Sequence, residues 1–230
     1  MRKLMFLVLP IALLFAGTPA QASTIQVGSA GALGANDFFD WGQYVDGALQ
    51  GSPLGATSNL GRGATLTDGG NFTALIEGTD WFGNFTVGNN VLFTGDANNP
   101  FAAANSFEWS SGTAVAGLGL QITSNFYGAF TASLEVFNGA TSLGLFNVGG
   151  VMDGNEDGTA PFLGALSDAV NINRAVFTLT SNTGAGFGVN RLLTTDTPFG
   201  GRQVPEPTSM ILLGTGLAGA AIRRRRQQRQ

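Results

Sequence analysis

The chain has 230 residues, a formal net charge of −4, and neither histidine nor cysteine. These absences exclude catalysis by a histidine base or a cysteine nucleophile, metal sites built from imidazole or thiolate, and disulfide bonds. Residues 23–203 carry four arginines against fourteen acids, which gives a net charge of −10. Such a charge opposes the approach of phosphate backbones, so no nucleic-acid partner is expected.

Residues 1–22 have the features of a secretory signal peptide. Arg2 and Lys3 precede an apolar run over residues 4–16, and Ala20 and Ala22 supply the small residues that a signal peptidase reads. The apolar run is shorter than the roughly 20 residues that a membrane-spanning helix needs. We therefore expect export of the chain and cleavage by signal peptidase after Ala22.

Residues 23–203 are long enough for one domain, and short apolar and polar alternations recur along them. Alternation with a period of two places the apolar side chains on one face of a half-buried strand. Those side chains are Phe72, Ala74 and Ile76; Leu118, Leu120 and Ile122; Phe130, Ala132, Leu134 and Val136; and Ala175, Phe177 and Leu179. The pattern predicts an all-β domain, an antiparallel β-sandwich of jelly-roll-like type. Residues 23–63 are glycine-rich and weakly patterned, and we expect surface loops there that frame one or two strands.

Asn138-Gly139 is the clearest hairpin signal in the chain. It separates two apolar runs, 134–137 and 143–146, and both residue types tolerate the positive φ of a tight hairpin turn. We expect two adjacent antiparallel strands on either side of it.

The segment DGNEDG, residues 153–158, has the spacing of metal ligands. Asp153, Asn155 and Asp157 alternate ahead of Gly158, as in the first half of a calcium-binding loop, and the Thr159 carbonyl would stand at the seventh position. The twelfth position, where such loops carry a bidentate glutamate, is Gly164. Two interpretations therefore stay open, a calcium site and an acidic loop between strands.

Three tryptophans, Trp41, Trp81 and Trp109, are candidates for a platform on which sugar rings stack. The alternative places them in the core, because the chain has 18 phenylalanines and only 2 tyrosines. Asp80, Glu108 and Glu135 are the acids nearest to aromatic or strand-like segments, but the sequence brings no two of them together, as a glycoside hydrolase would require. We expect no enzymatic activity.

The C-terminal residues 204–230 combine three unlike features in a fixed order. Val204, Pro205, Glu206 and Pro207 form an extended entry, and residues 210–222 are an apolar run of thirteen. Arg223, Arg224, Arg225 and Arg226 follow at once. A helix over the run would cover about 20 Å, short of a hydrocarbon core of about 30 Å. The arginines favour the cytoplasmic side of the inner membrane.

This tail resembles the PEP-CTERM sorting signal, which is the substrate tag of the membrane-embedded cysteine protease and transpeptidase exosortase. The resemblance implies a Gram-negative bacterium that makes exopolysaccharide. It also implies a precursor held transiently in the inner membrane, cleavage near Pro205 to Pro207, and release or attachment outside the cell. Residues 81–85, 137–139, 162–164 and 187–190 are similar to segments of the β-sandwich bodies found in many exported proteins with this tag.

These observations predict a non-enzymatic protein of the cell surface or extracellular matrix, sorted by exosortase and associated with exopolysaccharide. The alternative is a carbohydrate-binding module that calcium assists. That alternative needs exposed tryptophans and a working loop at Asp153. The sequence implies no other cofactor.

Overall fold

A computed structural model of the protein describes residues 22–99 and 103–200. Residues Ala22–Gly201 form one compact unit. The predicted signal peptide, except for its last residue Ala22, and the predicted sorting tail lie outside the described residues. No helix within the two described ranges is long and apolar enough to cross a membrane.

The described residues form fifteen β-strands, one short α-helix and one 3-10 turn. In chain order they are β1 (Thr24–Val27), α1 (Ala30–Leu33), β2 (Asp37–Phe39), the 3-10 turn (Trp41–Gln43), β3 (Leu49–Gly51), β4 (Leu54–Thr57), β5 (Gly63–Asp68), β6 (Asn71–Ile76), β7 (Asn90–Phe93), β8 (Ser106–Val115), β9 (Gly117–Ser124), β10 (Gly128–Asn138), β11 (Thr141–Met152), β12 (Phe162–Ser167), β13 (Ile172–Leu179), β14 (Phe187–Val189) and β15 (Leu192–Thr195).

The smaller sheet has six strands in the order β11-β10-β13-β8-β5-β4, and every neighbouring pair is antiparallel. The alternating side chains predicted for β10 and β13 are buried on its inner face, with Leu134 placed opposite Phe177. Apolar residues at alternate positions therefore face the core, as predicted.

The hairpin at Asn138-Gly139 is confirmed. It joins β10 to β11, and Gly139 has the positive φ of 58° that its turn requires. The pairing shifts by one residue between Val136 and Phe137. Leu143 is the extra, unpaired residue of this bulge. It packs against the core, as does Phe146 three residues further on.

The larger sheet has nine strands, and β9 is its branching point. The main path runs β1-β12-β9-β14-β7-β6-β3. On one side β9 pairs with β12, and on the other it pairs with β14 and then with β15, which also pairs with β2. The link between β14 and β15, residues 190 and 191, therefore lies beside Gln121 of β9.

The main core fills the space between the two sheets, which confirms the antiparallel β-sandwich. The larger sheet is covered on its outer face as well, by one cluster around Trp81 and Phe85 and another around Leu33 and Phe162. Burial on both faces explains why all six residues of β12 are buried.

Burial on both faces also changes the outcome for β6. Phe72 and Ala74 are buried as predicted, but the residues that alternate with them, Thr73 and Leu75, are buried too. Ile76 is only half-buried. The alternating pattern of β6 therefore predicted only some of its buried residues.

The expectation of one or two strands within residues 23–63 was wrong. Strands β1, β2, β3 and β4 all lie in this segment, each only three or four residues long. Three of them pair with strands far along the chain, namely β1 with β12, β2 with β15 and β3 with β6. A run of three or four residues is too short to show a period in the sequence, so the strands are defined by their partners.

Candidate functional site

A cleft of about 590 Å³ opens where β9, β12 and the β14–β15 link meet. Such a volume lies within the range of about 300–1,000 Å³ that is typical of sites for small ligands. The lining residues with polar or bulky apolar side chains are Ser29, Asn89, Gln121, Pro161, Phe162, Asn190, Arg191 and Leu193.

Three amide side chains along one wall of the cleft hold one another in place. Asn190 donates from Nδ2 to Asn89 Oδ1 at 2.8 Å and to Gln121 Oε1 at 3.1 Å. Gln121 donates from Nε2 to the carbonyl oxygens of Gly158 at 3.1 Å and Ala160 at 2.9 Å. The amide wall is therefore already fixed before any ligand arrives.

Arg191 at the rim is held by Asp40. The guanidinium donates from Nε at 3.0 Å and from Nη2 at 2.7 Å to Asp40 Oδ2, and it lies over the ring of Phe38, 4.5 Å from the centroid. Burial opposes ionisation of Asp40. Hydrogen bonds from Gly42, Arg191 and Asn90 outweigh it, so the pKa of Asp40 is lowered.

Phe162, Pro161 and Leu193 supply the apolar part of the lining. The Phe162 ring lies against the sheet above Gly119, where a Cβ atom would come within 2.6 Å of Phe162 Cζ. Glycine is needed at residue 119 because any larger side chain would push the ring away from the sheet.

The DGNEDG loop adjoins the cleft, since Gln121 holds its Gly158 carbonyl. Asn84, only 1% exposed, binds the loop from below. Its Nδ2 donates to Asp153 Oδ1 at 2.5 Å, and its Oδ1 accepts from the Asp153 backbone N–H at 3.1 Å. Asp157 Oδ1 accepts from the Thr159 hydroxyl at 2.6 Å, and hydrogen bonds from Thr159 lower the pKa of Asp157.

Hydrogen bonds between protein groups are sufficient to explain the conformation of the DGNEDG loop. Asp153 Oδ1 also accepts from the Asn155 backbone N–H at 3.2 Å, so it caps its own turn. Across the described ranges, no group of three or more acidic side chains is arranged to hold a metal ion. Calcium binding by Asp153, Asn155, Asp157 and Thr159 stays a prediction.

The three tryptophans are buried, so the predicted sugar-stacking platform was wrong. Trp41, Trp81 and Trp109 are 1%, 5% and 0% exposed. Trp109 packs edge-on against Phe39 with centroids 6.3 Å apart. Trp41 instead helps to hold Asn190 of the cleft wall in place, because its Nε1 donates to the Asn190 carbonyl at 2.8 Å.

The three acids considered for catalysis do not meet one another, although Asp80 lies beside Asp46, whose pKa is raised by burial and by this neighbour. Asp80 accepts from the Ile76 backbone N–H at 2.6 Å, Glu108 forms an ion pair with Arg174 at 2.9 Å, and Glu135 accepts from Ser142 at 2.7 Å. None of the three lines the cleft described above.

Glu77 is a buried acid that sequence patterns did not reveal. Its side chain is fully buried, and Oε1 accepts from the Gly83 backbone N–H at 2.6 Å. Burial outweighs the hydrogen bonds that the backbone N–H groups of Gly83 and Phe85 give to this carboxyl. Burial raises the pKa of Glu77 to about 7, and the nearby charge of Glu156 adds to this. The carboxyl closes the loop of residues 78–88 over the sheet.

The residues of the cleft carried no sequence signal. Asn89, Gln121, Asn190 and Arg191 share no motif and come from distant segments. Only the pairing of β9 with β14 brings Gln121 and Asn190 together.

Comparison with protein families matches residues 203–226 to the PEP-CTERM protein-sorting motif. The chain carries a PEP-CTERM sorting motif. The match includes the Pro-Glu-Pro entry and the four arginines, so the predicted resemblance is confirmed. The motif indicates an exported protein that exosortase sorts.

Among solved structures, the chain is similar to CsCBM6-3 from Clostridium stercorarium, solved in complex with cellobiose. The two share 8% identity, and the alignment covers 53% of this chain and 86% of the other with a TM-score of 0.28. A likeness this low carries no argument about fold or ligand. Comparison with curated proteins finds no match.

Proposed function

We propose that this PEP-CTERM protein is a non-enzymatic component of the cell surface or extracellular matrix, associated with exopolysaccharide. The position of the sorting motif carries the proposal. The last strand, β15, ends at Thr195, and the motif begins at residue 203. The motif follows the fifteen strands of the described residues in the chain, so cleavage at Pro-Glu-Pro leaves all fifteen intact.

In this proposal signal peptidase removes residues 1–22, and residues 210–222 hold the precursor briefly in the inner membrane. Arg223, Arg224, Arg225 and Arg226 keep the end of the tail in the cytoplasm. Exosortase then cuts near Pro205 to Pro207 outside that membrane.

The side chains of the sandwich support a role without catalysis. Three acids lie on the smaller sheet: Glu108 pairs with Arg174, Glu135 accepts from Ser142, and Asp68 accepts from the Gly70 backbone N–H. The cleft has no acidic side chain in its lining. Glycoside hydrolysis needs two acids placed on either side of one bond.

The mass of the mature C-terminus tests the proposal. Protein isolated from producing cells is expected to lack the arginine cluster, whereas a variant with Pro205→Ala, Glu206→Ala and Pro207→Ala should retain it. Pro198→Ala is the matched control, because this proline lies between β15 and the motif, and it should be processed like wild type. An intact tail on the wild-type protein outside the cell would contradict the proposal.

The cleft favours a second candidate function, carbohydrate binding, at a place other than the three tryptophans, which are buried. Fixed amide groups beside Pro161, Phe162 and Leu193 suit a ligand with polar edges and an apolar face, as a sugar ring has. Binding to soluble polysaccharides, measured with and without a chelator, tests this function and any assistance by calcium.

The double variant Asp153→Ala, Asp157→Ala tests whether calcium binds at the DGNEDG loop. At about 1 mM calcium a weak native-state site raises the melting temperature of wild type and leaves the variant unchanged. An equal response of the two proteins removes calcium from this loop.

A further inference from the structure

Some hydrogen-bonding groups of the cleft already have partners within the protein, and others do not. Each side-chain amide oxygen in the wall already accepts a bond: Asn89 Oδ1 and Gln121 Oε1 from Asn190, and Asn190 Oδ1 from the Arg191 backbone N–H at 2.6 Å. Among the described residues, Asn89 Nδ2 and Arg191 Nη1 have no partner. The side-chain groups of this wall that have no partner are therefore donors, and acceptors on a ligand would satisfy them.

The charge of the lining points the same way. Arg191 is the one charged residue among those that line the cleft. Asp40 balances its charge and the net charge of residues 23–203 is −10, so an anion would be held by direct hydrogen bonds to Arg191 and not by the surrounding field. Asp40 occupies the Nε and Nη2 side of the guanidinium and leaves Nη1 for a second acceptor. Arginine forms its strongest hydrogen bonds with carboxylates and phosphates.

The lining of the cleft also has an apolar part. Pro161 and Leu193 are half-buried, so part of each side chain is open to the cleft. Phe162 is 9% exposed and contributes less surface. A compact, highly charged anion such as phosphate would leave this surface without a partner. A pyranose ring covers it with an apolar face while its edge reaches the donors.

We propose that this cleft binds a saccharide that carries a carboxylate, with Arg191 and Asn89 donating to the acid-bearing sugar. The proposal rests on the carbohydrate-binding function above and names its ligand class. The cleft volume of about 590 Å³ is that of a site for a small ligand. The ordered amide wall and the Asp40 pair hold both donors in place, so little side-chain freedom is lost on binding.

Titration calorimetry on the protein isolated from cells tests this proposal. The probes are a glucuronate oligosaccharide, a glucose oligosaccharide of equal length, and succinate as a carboxylate without a sugar ring. We expect the glucuronate oligosaccharide to bind at least about tenfold more tightly than either of the others, which is the scale of one charge-assisted hydrogen bond.

Two variants assign the effect to the cleft. Arg191→Gln should lower the affinity for glucuronate about tenfold. Asn89→Asp keeps the pair of Arg191 with Asp40 and should abolish binding by placing a like charge beside the ligand. Arg174→Gln, which removes an arginine of the smaller sheet, is the control and should bind like wild type. Equal melting temperatures show that the variants are folded.

Equal affinity for the glucose and glucuronate oligosaccharides would overturn the acidic ligand and leave carbohydrate binding standing. Binding of succinate as tight as that of glucuronate would overturn the saccharide. An equal loss in Arg174→Gln would overturn the location. No binding of either oligosaccharide would overturn both the inference and the carbohydrate-binding function, whereas the C-terminal mass decides the surface-protein proposal independently.

Discussion

Replacing Glu77 with glutamine removes a buried charge while keeping the size of the side chain. In the folded protein Glu77 is fully buried and its Oε1 accepts from the Gly83 N–H, a bond that the glutamine oxygen can also make. The difference between wild type and variant therefore reports on the ionisation of this one carboxyl.

The sign of the effect follows from the raised pKa. Folding shifts the pKa of Glu77 from 4.5 to about 7, mainly through burial, so the folded state binds this proton more tightly than the unfolded chain does. The contribution of Glu77 to stability is highest below pH 4.5, falls as the pH rises to about 7, and stays low above it. At about 1.4 kcal/mol for each pKa unit, the loss amounts to at most about 3–4 kcal/mol.

Urea unfolding between about pH 4.5 and pH 8 measures this loss. Glu77→Gln should match wild type at the acidic end and exceed it by up to about 3–4 kcal/mol at the alkaline end. Glu135→Gln removes a carboxylate from the outside of the smaller sheet and reports the effect of losing one charge by itself. A difference between Glu77→Gln and wild type that does not change with pH would refute the reasoning.

Three further changes probe the core, the outer face and the tail. Phe177→Asp puts an unpaired charge at a fully buried position and should cost several kcal/mol; folding at wild-type stability in urea would contradict this. Gly188→Ala brings a Cβ within 2.8 Å of Trp81 Cζ2 and should cost about 1–3 kcal/mol, whereas Gly55→Ala meets nothing within 4 Å and is the control. Changing all four arginines of residues 223–226 to glutamine should release unprocessed protein into the periplasm or medium, and unchanged processing on an immunoblot would exclude their anchoring role.

The sequence by itself determined the features that depend on neighbouring residues. The alternation at Leu134 and Phe177 predicted which side chains face the core, and Asn138-Gly139 predicted the hairpin, because strand pleat and turn geometry are local properties. The sorting motif of residues 203–226 was readable for the same reason, since its three features are contiguous.

Only the tertiary structure decided the cleft, the burial of the tryptophans and the environment of Glu77. Asn190 bonds to Asn89 across 101 residues, and no local pattern encodes such a meeting. Trp81 and Glu77 are buried because a loop covers the outer face of the larger sheet, a face that alternation alone would assign to solvent. A side chain's partners depend on which strands pair, and pairing between distant segments is fixed only when the whole sandwich closes.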